Sequence, residues 1–242
     1  MFDHVTIRVT DRVASERFYD TVFSPLGIDR TYATPTFSEW QNFLLSERAD
    51  AHPTTRRLHV GFMAPSREQV DDFWNEGTAA GYADDGPPGP RPQYRDDYYG
   101  AFLLDPDGNS VEAVHHGGLQ RDGIVDHLWI RVADLDAATR FYETIAPHAG
   151  LRLKDDTPER AQFAGARGSF SLVPGTPTEN LHMAFPTADD GDVVRFHEAA
   201  TAAGYRDNGA PGERPRYHPG YYSAYVLDPD GNNIEVVNHH RL

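Results

Sequence analysis

The chain of 242 residues contains no cysteine, which excludes disulfides, thiolate nucleophiles and cysteine-ligated metal sites together. Any metal it binds must be held by His, Asp or Glu. No apolar run is long enough to span a bilayer, and the N-terminus lacks the basic-then-apolar order of a signal peptide. The protein is therefore expected in the cytoplasm, with no membrane partner. Positive charge is also scarce: 22 Lys and Arg stand against 37 Asp and Glu, a formal net charge of −15. Phosphate binding wants a basic face, so nucleic acid is not an expected partner, and the acidity reads as a device for solubility. What remains is an ordinary globular composition, 39% hydrophobic and 24% charged, with length enough for a sizeable core in one or two domains.

Against these absences stands a strong internal repetition. A shift of 123 residues lays Asp3-His4 on Asp126-His127, Arg17-Phe18-Tyr19 on Arg140-Phe141-Tyr142, Gly81-Tyr82 on Gly204-Tyr205 and Arg91-Pro92 on Arg214-Pro215. A period this long in so few copies means duplicated domains and not a solenoid. The break falls in the polar, Gly-rich stretch Gly117–Gly123, which gives domains over 1–118 and 124–242 joined by a linker at 119–123.

Within each half a coarser plan repeats. Phe2–Val9 alternates as a strand, Thr10 or Asp11 can cap a helix with Ala14, Phe18 and Val22 on its apolar face, and Gly27 ends it. Weaker strands are expected at 29–34 and 40–46. A strand at 57–63 restarts the plan, Ser66 and Gln69 form a capping-box pattern, and Val70, Phe73, Trp74 and Gly77 share a helix face. The second half places its helices near 134–146 and 190–203. Each half closes on two apolar runs around Asp-Pro-Asp-Gly-Asn, at 105–109 and 228–232. Proline presets the first turn residue and Gly or Asn accepts positive φ, so each is a β-hairpin. Each half thus reads β-α-β-β-β twice, an α+β class. Before each hairpin, the breaker-rich stretches 86–94 and 208–220 read as loops, either plain connectors or the rim of a cleft. In the second case Arg91, Tyr94, Arg214 and Tyr217 would meet a substrate.

One carboxylate, Glu112 or Glu235, sits inside each hairpin's second strand, and two histidines stand in the opening strands of each half: His4 and His59, then His127 and His182. In both halves the spacings are 55 and then 53 residues. Two imidazoles and a carboxylate suit Fe²⁺, Mn²⁺, Zn²⁺ or Ni²⁺ and leave coordination positions open for substrate or water. A lone strand histidine is more often a hydrogen-bonded residue at a strand start; a trio at equivalent points of a repeated module tips the balance toward a metal. The trios can assemble within each half or across halves, in which case His4 shares a site with His182 and Glu235. If His4 faces a cleft, alternation brings Arg8 to the same side, and His127 likewise brings Trp129 and Arg131. The arginines can hold a substrate carboxylate or phosphate, or pair locally with Asp11 and Asp134. His218 stands where the first half has Arg95, so two sites would not be identical; with Tyr217 and Tyr94 it is a candidate acid, base or orienting group. The pairs His115-His116 and His239-His240 read as exposed strand termini.

The opening Asp-His strand, the Phe-Tyr on the first helix and the Asp-Pro-Asp-Gly-Asn…Glu hairpin resemble the vicinal-oxygen-chelate superfamily, over nearly the whole chain. That superfamily includes glyoxalase I, extradiol dioxygenases, methylmalonyl-CoA epimerase, and fosfomycin- and bleomycin-resistance proteins. Arg214–Tyr222 resembles a subgroup of small glyoxalase-like proteins. The resemblance implies paired βαβββ units curled into half-open barrels, with His4, His59, Glu112, His127, His182 and Glu235 on metal-ligand positions and Glu112 and Glu235 at the catalytic centre. A fourth ligand would fall near Phe43–Ser46 and Phe170–Val173, which contain no Glu, Gln, His or Asp, although Glu39, Gln41, Glu47 and Gln162 are nearby. Three ligands fit dioxygenase-like or fosfomycin-transferase-like sites better than glyoxalase I. The implied activity is lyase, isomerase or dioxygenase chemistry on a small oxygen-rich molecule, by a monomer or homodimer. The other readings are a metal-free binding protein of the bleomycin-resistance kind, and a chain with one catalytic half.

Overall fold

The computed structural model describes residues 1–50, 52–118, 123–166 and 168–240; most of the expected linker, 119–122, lies outside them. Four blocks of one plan follow each other. The first is β1 (His4–Val9), α1 (Arg12–Phe23), β2 (Tyr32–Ala33), β3 (Phe37–Trp40) and β4 (Phe43–Glu47). The second is β5 (Leu58–Met63), α2 (Arg67–Ala79), β6 (Ala83–Pro90), β7 (Tyr99–Leu104) and β8 (Ser110–His115). The third is β9 (Val125–Val132), α3 (Leu135–Ile145), β10 (Arg152–Thr157), β11 (Arg160–Ala164) and β12 (Ser169–Pro174). The fourth is β13 (His182–Pro186), α4 (Asp190–Ala202), β14 (Arg206–Glu213), β15 (Tyr222–Leu227) and β16 (Asn233–Asn238). The α+β class and the four βαβββ units are as the sequence indicates. No helix among the described residues is long and apolar enough to cross a membrane.

The chain packs as two compact units, Thr6–Trp129 and Met1–Val5 with Ile130–Leu242, so the cuts fall inside β1 and β9. In the first unit the strand orders are β9-β5-β8-β7-β6 and β1-β4-β3-β2; in the second they are β14-β15-β16-β13-β1 and β10-β11-β12-β9. The pairs β5–β8 and β13–β16 are parallel, whereas the hairpins β7–β8 and β15–β16 are antiparallel. The sheets are therefore mixed, and neither closes on itself.

Asp11, Asp134 and Asp189 cap α1, α3 and α4, and Ser66 caps α2, each accepting a backbone N–H of the first turn. Of the expected capping box only the Ser66 half forms: the Gln69 amide donates instead to the Pro25 carbonyl. The core of the Thr6–Trp129 unit is aromatic, with Tyr19, Phe23, Phe43 and Phe62 in mutual ring contact. In the other unit Phe170 meets the rings of Tyr142, Phe163 and Phe185, and Tyr142 also meets Phe163. The Tyr19 and Tyr142 hydroxyls donate to Asp105 and Asp228, the first residues of the two tight turns, which tie each first helix to its closing hairpin.

Two expectations are corrected. The stretch 40–46 is not one strand but the hairpin of β3 and β4, turned at Gln41 with φ of 54°. The breaker-rich stretches do not begin as loops: 83–90 and 206–213 are strands paired with β7 and β15. Proline is tolerated there because both are edge strands, and the register skips at Gly86 and Gly209. At Gly86, φ is 152° and an added Cβ would lie 2.9 Å from the Phe102 ring, so glycine lets the bulge close onto that side chain.

Candidate metal centres

The parallel register decides which side chains meet. In the Thr6–Trp129 unit His59 pairs with Ser110 and Gly61 with Glu112, so His59 and Glu112 project side by side from neighbouring strands. His127 on β9 completes the group: its Nε2 is 3.3 Å from His59 Nε2 and 3.2 Å from Glu112 Oε2, and His59 Nε2 is 3.0 Å from the same oxygen. In the other unit His182 pairs with Asn233 and Ala184 with Glu235. There His182 Nε2 is 3.0 Å from His4 Nε2 and 3.1 Å from Glu235 Oε2, with His4 Nε2 at 3.6 Å from that oxygen. Of the two assemblies open to the sequence, the structure shows the one in which His4 joins His182 and Glu235, and His59 joins Glu112 and His127.

The donor sets fit a divalent cation. Bonds of about 2.1 Å place adjacent ligand atoms about 3.0 Å apart at right angles and about 3.4 Å apart at tetrahedral angles. Both trios fall near that window, and all three donors of each converge on one point, which leaves further positions open. Glu112 and Glu235 are each 1% exposed, and a carboxylate so deep in a protein must be compensated. Among the described residues the stretches 43–46 and 170–173 add no fourth member to either group.

Each trio sits in an outer frame of hydrogen bonds. Tyr98 and Tyr221 donate to Oε1 of Glu112 and Glu235 at 2.8 Å, leaving Oε2 for the histidines. Burial, then the adjacent carboxylate, pushes both phenols far up, so they stay protonated donors. Asp126 accepts from His127 Nδ1 at 2.9 Å, and Asp3 from His4 Nδ1 at 2.8 Å. With the proton fixed on Nδ1, Nε2 presents its lone pair inward. Behind the aspartates stand His116, against Asp126, and His239, against Asp3, so these are not the exposed strand termini expected from the sequence. His116 is buried because Tyr98 stacks on it.

The remaining sequence candidates are placed as follows. His218 lies against His239, Nε2 to Nδ1 at 2.8 Å, one link further from Asp3. Tyr94 stacks near Tyr98 and Trp129, and Tyr217 on Tyr221, both with exposed rings. Arg91 and Arg214 bind carbonyls of their own edge strands, at Pro87 and Ala210, and lie over the rings of Phe102 and Tyr225. Those rings in turn stand 5.8 Å from His59 and 6.3 Å from His182. Arg8 and Arg131 lie four residues beyond His4 and His127, about 13 Å along a strand, and their backbone N–H groups bond Thr55 and Thr178. Sequence reasoning missed Asp3, Asp126, Tyr98, Tyr221, Ser110 and Asn233. The first four stood in the duplicated positions, but only the fold shows what they touch.

The frame has a pH signature in the cation-free protein. Burial acts to raise Glu112, yet hydrogen bonds from His127 and His59 outweigh it and hold the carboxyl at about 2. Burial acts to lower His127, yet Asp126 and Glu112 push it up to about 10. The depressed glutamate contributes stability that is whole above its ordinary 4.5 and is lost as pH falls through 2. The raised histidine contributes stability that is whole below 6.5 and is lost as pH rises through 10. Melting temperature measured with chelator present is therefore expected to peak between pH 4.5 and 6.5, with the acid limb blunted in Glu112→Gln.

The model of the Glyoxalase/Bleomycin resistance protein/Dioxygenase superfamily matches residues 1–113 and again 124–236. Among solved structures, glyoxalase I from Zea mays is 21% identical, with 98% of this chain and 92% of that chain aligned at a TM-score of 0.68. Its V278E mutant gives 0.69 at the same identity and coverage. At that identity the likeness is one of fold. No curated protein matches the sequence.

Proposed function

The chain belongs to the glyoxalase/bleomycin resistance protein/dioxygenase superfamily, and we propose that within it the chain is a divalent-metal-dependent enzyme acting on a small oxygen-rich substrate through two neighbouring oxygens. The observation that carries this reading is the pair of His-His-Glu trios, each with a buried glutamate, open coordination positions and an aspartate locking one histidine. When bound, the cation supplies Lewis acidity to the chelated oxygens and stabilises negative charge that develops on them. The protein's own side chains do the rest. His59 with His127, and His4 with His182, would hold the ion; Glu112 and Glu235 would complete each set and offer the nearest carboxylate for proton transfer. Tyr98 and Tyr221 keep those carboxylates from swinging away. Phe102 and Tyr225 stand beside His59 and His182, with ring centroids 5.8 and 6.3 Å apart. Tyr94, Trp129 and Tyr217 are aromatic surfaces for the substrate, with Arg91 and Arg214 buttressing Phe102 and Tyr225. Lyase, isomerase and dioxygenase chemistry all start from such an arrangement.

Elemental analysis of protein purified without chelator tests this. We expect at least one divalent ion per chain, and two after incubation with excess metal and gel filtration. His182→Ala and Glu235→Ala should each remove one. A protein that holds no metal before or after loading, and binds hydrophobic ligands equally well with chelator, would instead be a metal-free binding protein.

A further inference from the structure

We infer that the two centres are unequal by design, the His59–Glu112–His127 centre binding its cation first and the His4–His182–Glu235 centre binding more weakly. This rests on the proposal that both trios are metal centres, and it goes beyond it by ranking them.

Three differences in the outer frame point the same way. The first is at His59 and His182, the histidines on the parallel strands. His59 Nδ1 lies 3.0 Å from Ser110 Oγ, and that hydroxyl donates its own proton to Asp85 at 2.6 Å. With its proton committed, the hydroxyl can only accept, so His59 carries its hydrogen on Nδ1 and turns the Nε2 lone pair toward Glu112. At the equivalent place His182 Nδ1 faces Asn233 Nδ2 at 2.6 Å, and Asn233 Oδ1 accepts from Asn208. An amide in that setting donates to Nδ1 and leaves the proton on Nε2, the nitrogen that must ligate. Loading this centre requires the Asn233 amide to turn and its bond with Asn208 to be remade.

The second difference is at the carboxylate. Glu112 is opposed across the hairpin by Phe102, Glu235 by Tyr225. The Tyr225 hydroxyl, which accepts from Ser223 at 3.0 Å, faces Glu235 as a second phenol beside Tyr221. A carboxylate that gives electron density to two donors is a weaker ligand than one that gives it to one. The third is behind the aspartates. His116 Nδ1 is closed off by the Gly118 backbone N–H at 3.1 Å, so this imidazole is held in a single tautomer and donates to Asp126. His239 Nδ1 instead lies 2.8 Å from Nε2 of the half-exposed His218, whose own Nδ1 bonds the Pro219 carbonyl, so a second imidazole and not a backbone N–H stands behind His239. Changes in such outer partners typically alter metal affinity 10- to 100-fold.

The test is a Co²⁺ titration of the chelator-stripped full-length protein, followed by calorimetry and visible absorption. Two steps with dissociation constants at least tenfold apart are expected. Glu112→Ala should delete the tight step and Glu235→Ala the weak one. The pair Asn233→Ser with Asn208→Asp should tighten the weak step about tenfold, and Asp85→Asn, a change at an exposed residue, should loosen the tight one. Two indistinguishable steps, or a tight step that survives Glu112→Ala and vanishes with Glu235→Ala, would overturn the ranking alone. Absence of any Co²⁺ binding would overturn the metal proposal beneath it.

Discussion

Gly61→Ala is expected to lower metal affinity at the His59–Glu112–His127 centre by 100-fold or more while leaving the fold intact. An alanine Cβ at this position would lie 2.3 Å from His127 Cε1 and 2.6 Å from its Nδ1. Carbon atoms rest about 3.5 Å apart, so the imidazole must retreat by roughly an ångström. The ring is not a flexible end that can give way. Asp126 holds its Nδ1 and Glu112 faces its Nε2. Metal–ligand bonds tolerate about 0.2 Å, so a displacement of that size removes the ligand. Gly61 has no positive φ, and the backbone accepts alanine, so the stability cost should stay within about 1–3 kcal/mol of overpacking. The other centre is built around Ala184 at the corresponding position, where His4 stands further back, 3.6 Å from Glu235 against 3.2 Å from His127 to Glu112; it should titrate unchanged, an internal control in the same sample. Gly100→Ala should act on the third ligand by the same route, since its Cβ would meet Glu112 Oε1 at 2.4 Å. Unchanged affinity in Gly61→Ala, with the melting temperature held, would mean that His127 is not a ligand.

Such positions show what the sequence could and could not disclose. The duplication, the blocks and the six side chains of the two trios are legible because they are local or periodic: alternation marks a strand, Asp-Pro-Asp-Gly-Asn marks a turn, and a glutamate amid valines is conspicuous. The partners of each histidine are not legible. His4 and His127 occupy equivalent points of the repeat, so nothing in the order of residues says which one joins His59. That choice belongs to the strand order, set by long-range packing. The edge strands at 83–90 and 206–213 were hidden for a different reason. Proline and glycine signal a break in a central strand, yet at an edge they only remove bonds that no neighbour would make. His116 looked exposed because it ends a strand; it is buried because Tyr98 covers it and Asp126 bonds it, neither of which periodicity reports. Gly61 looked like one small residue in an apolar run. Its meaning is the ring that rests on it.

The largest loss of stability is expected from Asp105→Ala. The sequence presents Asp105 as a surface turn residue, but it is 4% exposed and gathers four donors. Its Oδ1 accepts the backbone N–H groups of Asp107 and Asn109 at 2.9 and 2.8 Å; its Oδ2 accepts the Asn109 amide at 3.1 Å and the Tyr19 hydroxyl at 3.2 Å. Burial pushes this carboxyl up to about 6 despite those bonds, which measures how far from water the site lies. Alanine would leave the donors without an acceptor. Each buried orphan costs about 1–3 kcal/mol, and partial relaxation brings the sum to about 3–5 kcal/mol, a large share of the 5–15 kcal/mol typical of a folded domain. Tyr19→Phe, which removes only one of the four, should cost about 1–2 kcal/mol. Asp107→Ala, which gives up one exposed bond to the Thr10 N–H, should cost under about 1 kcal/mol. Denaturant unfolding of the three variants should rank them in that order. The same turn aims β8, and β8 carries Glu112, so under conditions where Asp105→Ala is still folded its metal titration should show a weakened step at that glutamate's centre and an unchanged one at Glu235. An Asp105→Ala protein as stable as its parent would show that the hairpin does not depend on this buried carboxylate, and the placement of the glutamate would then need another source.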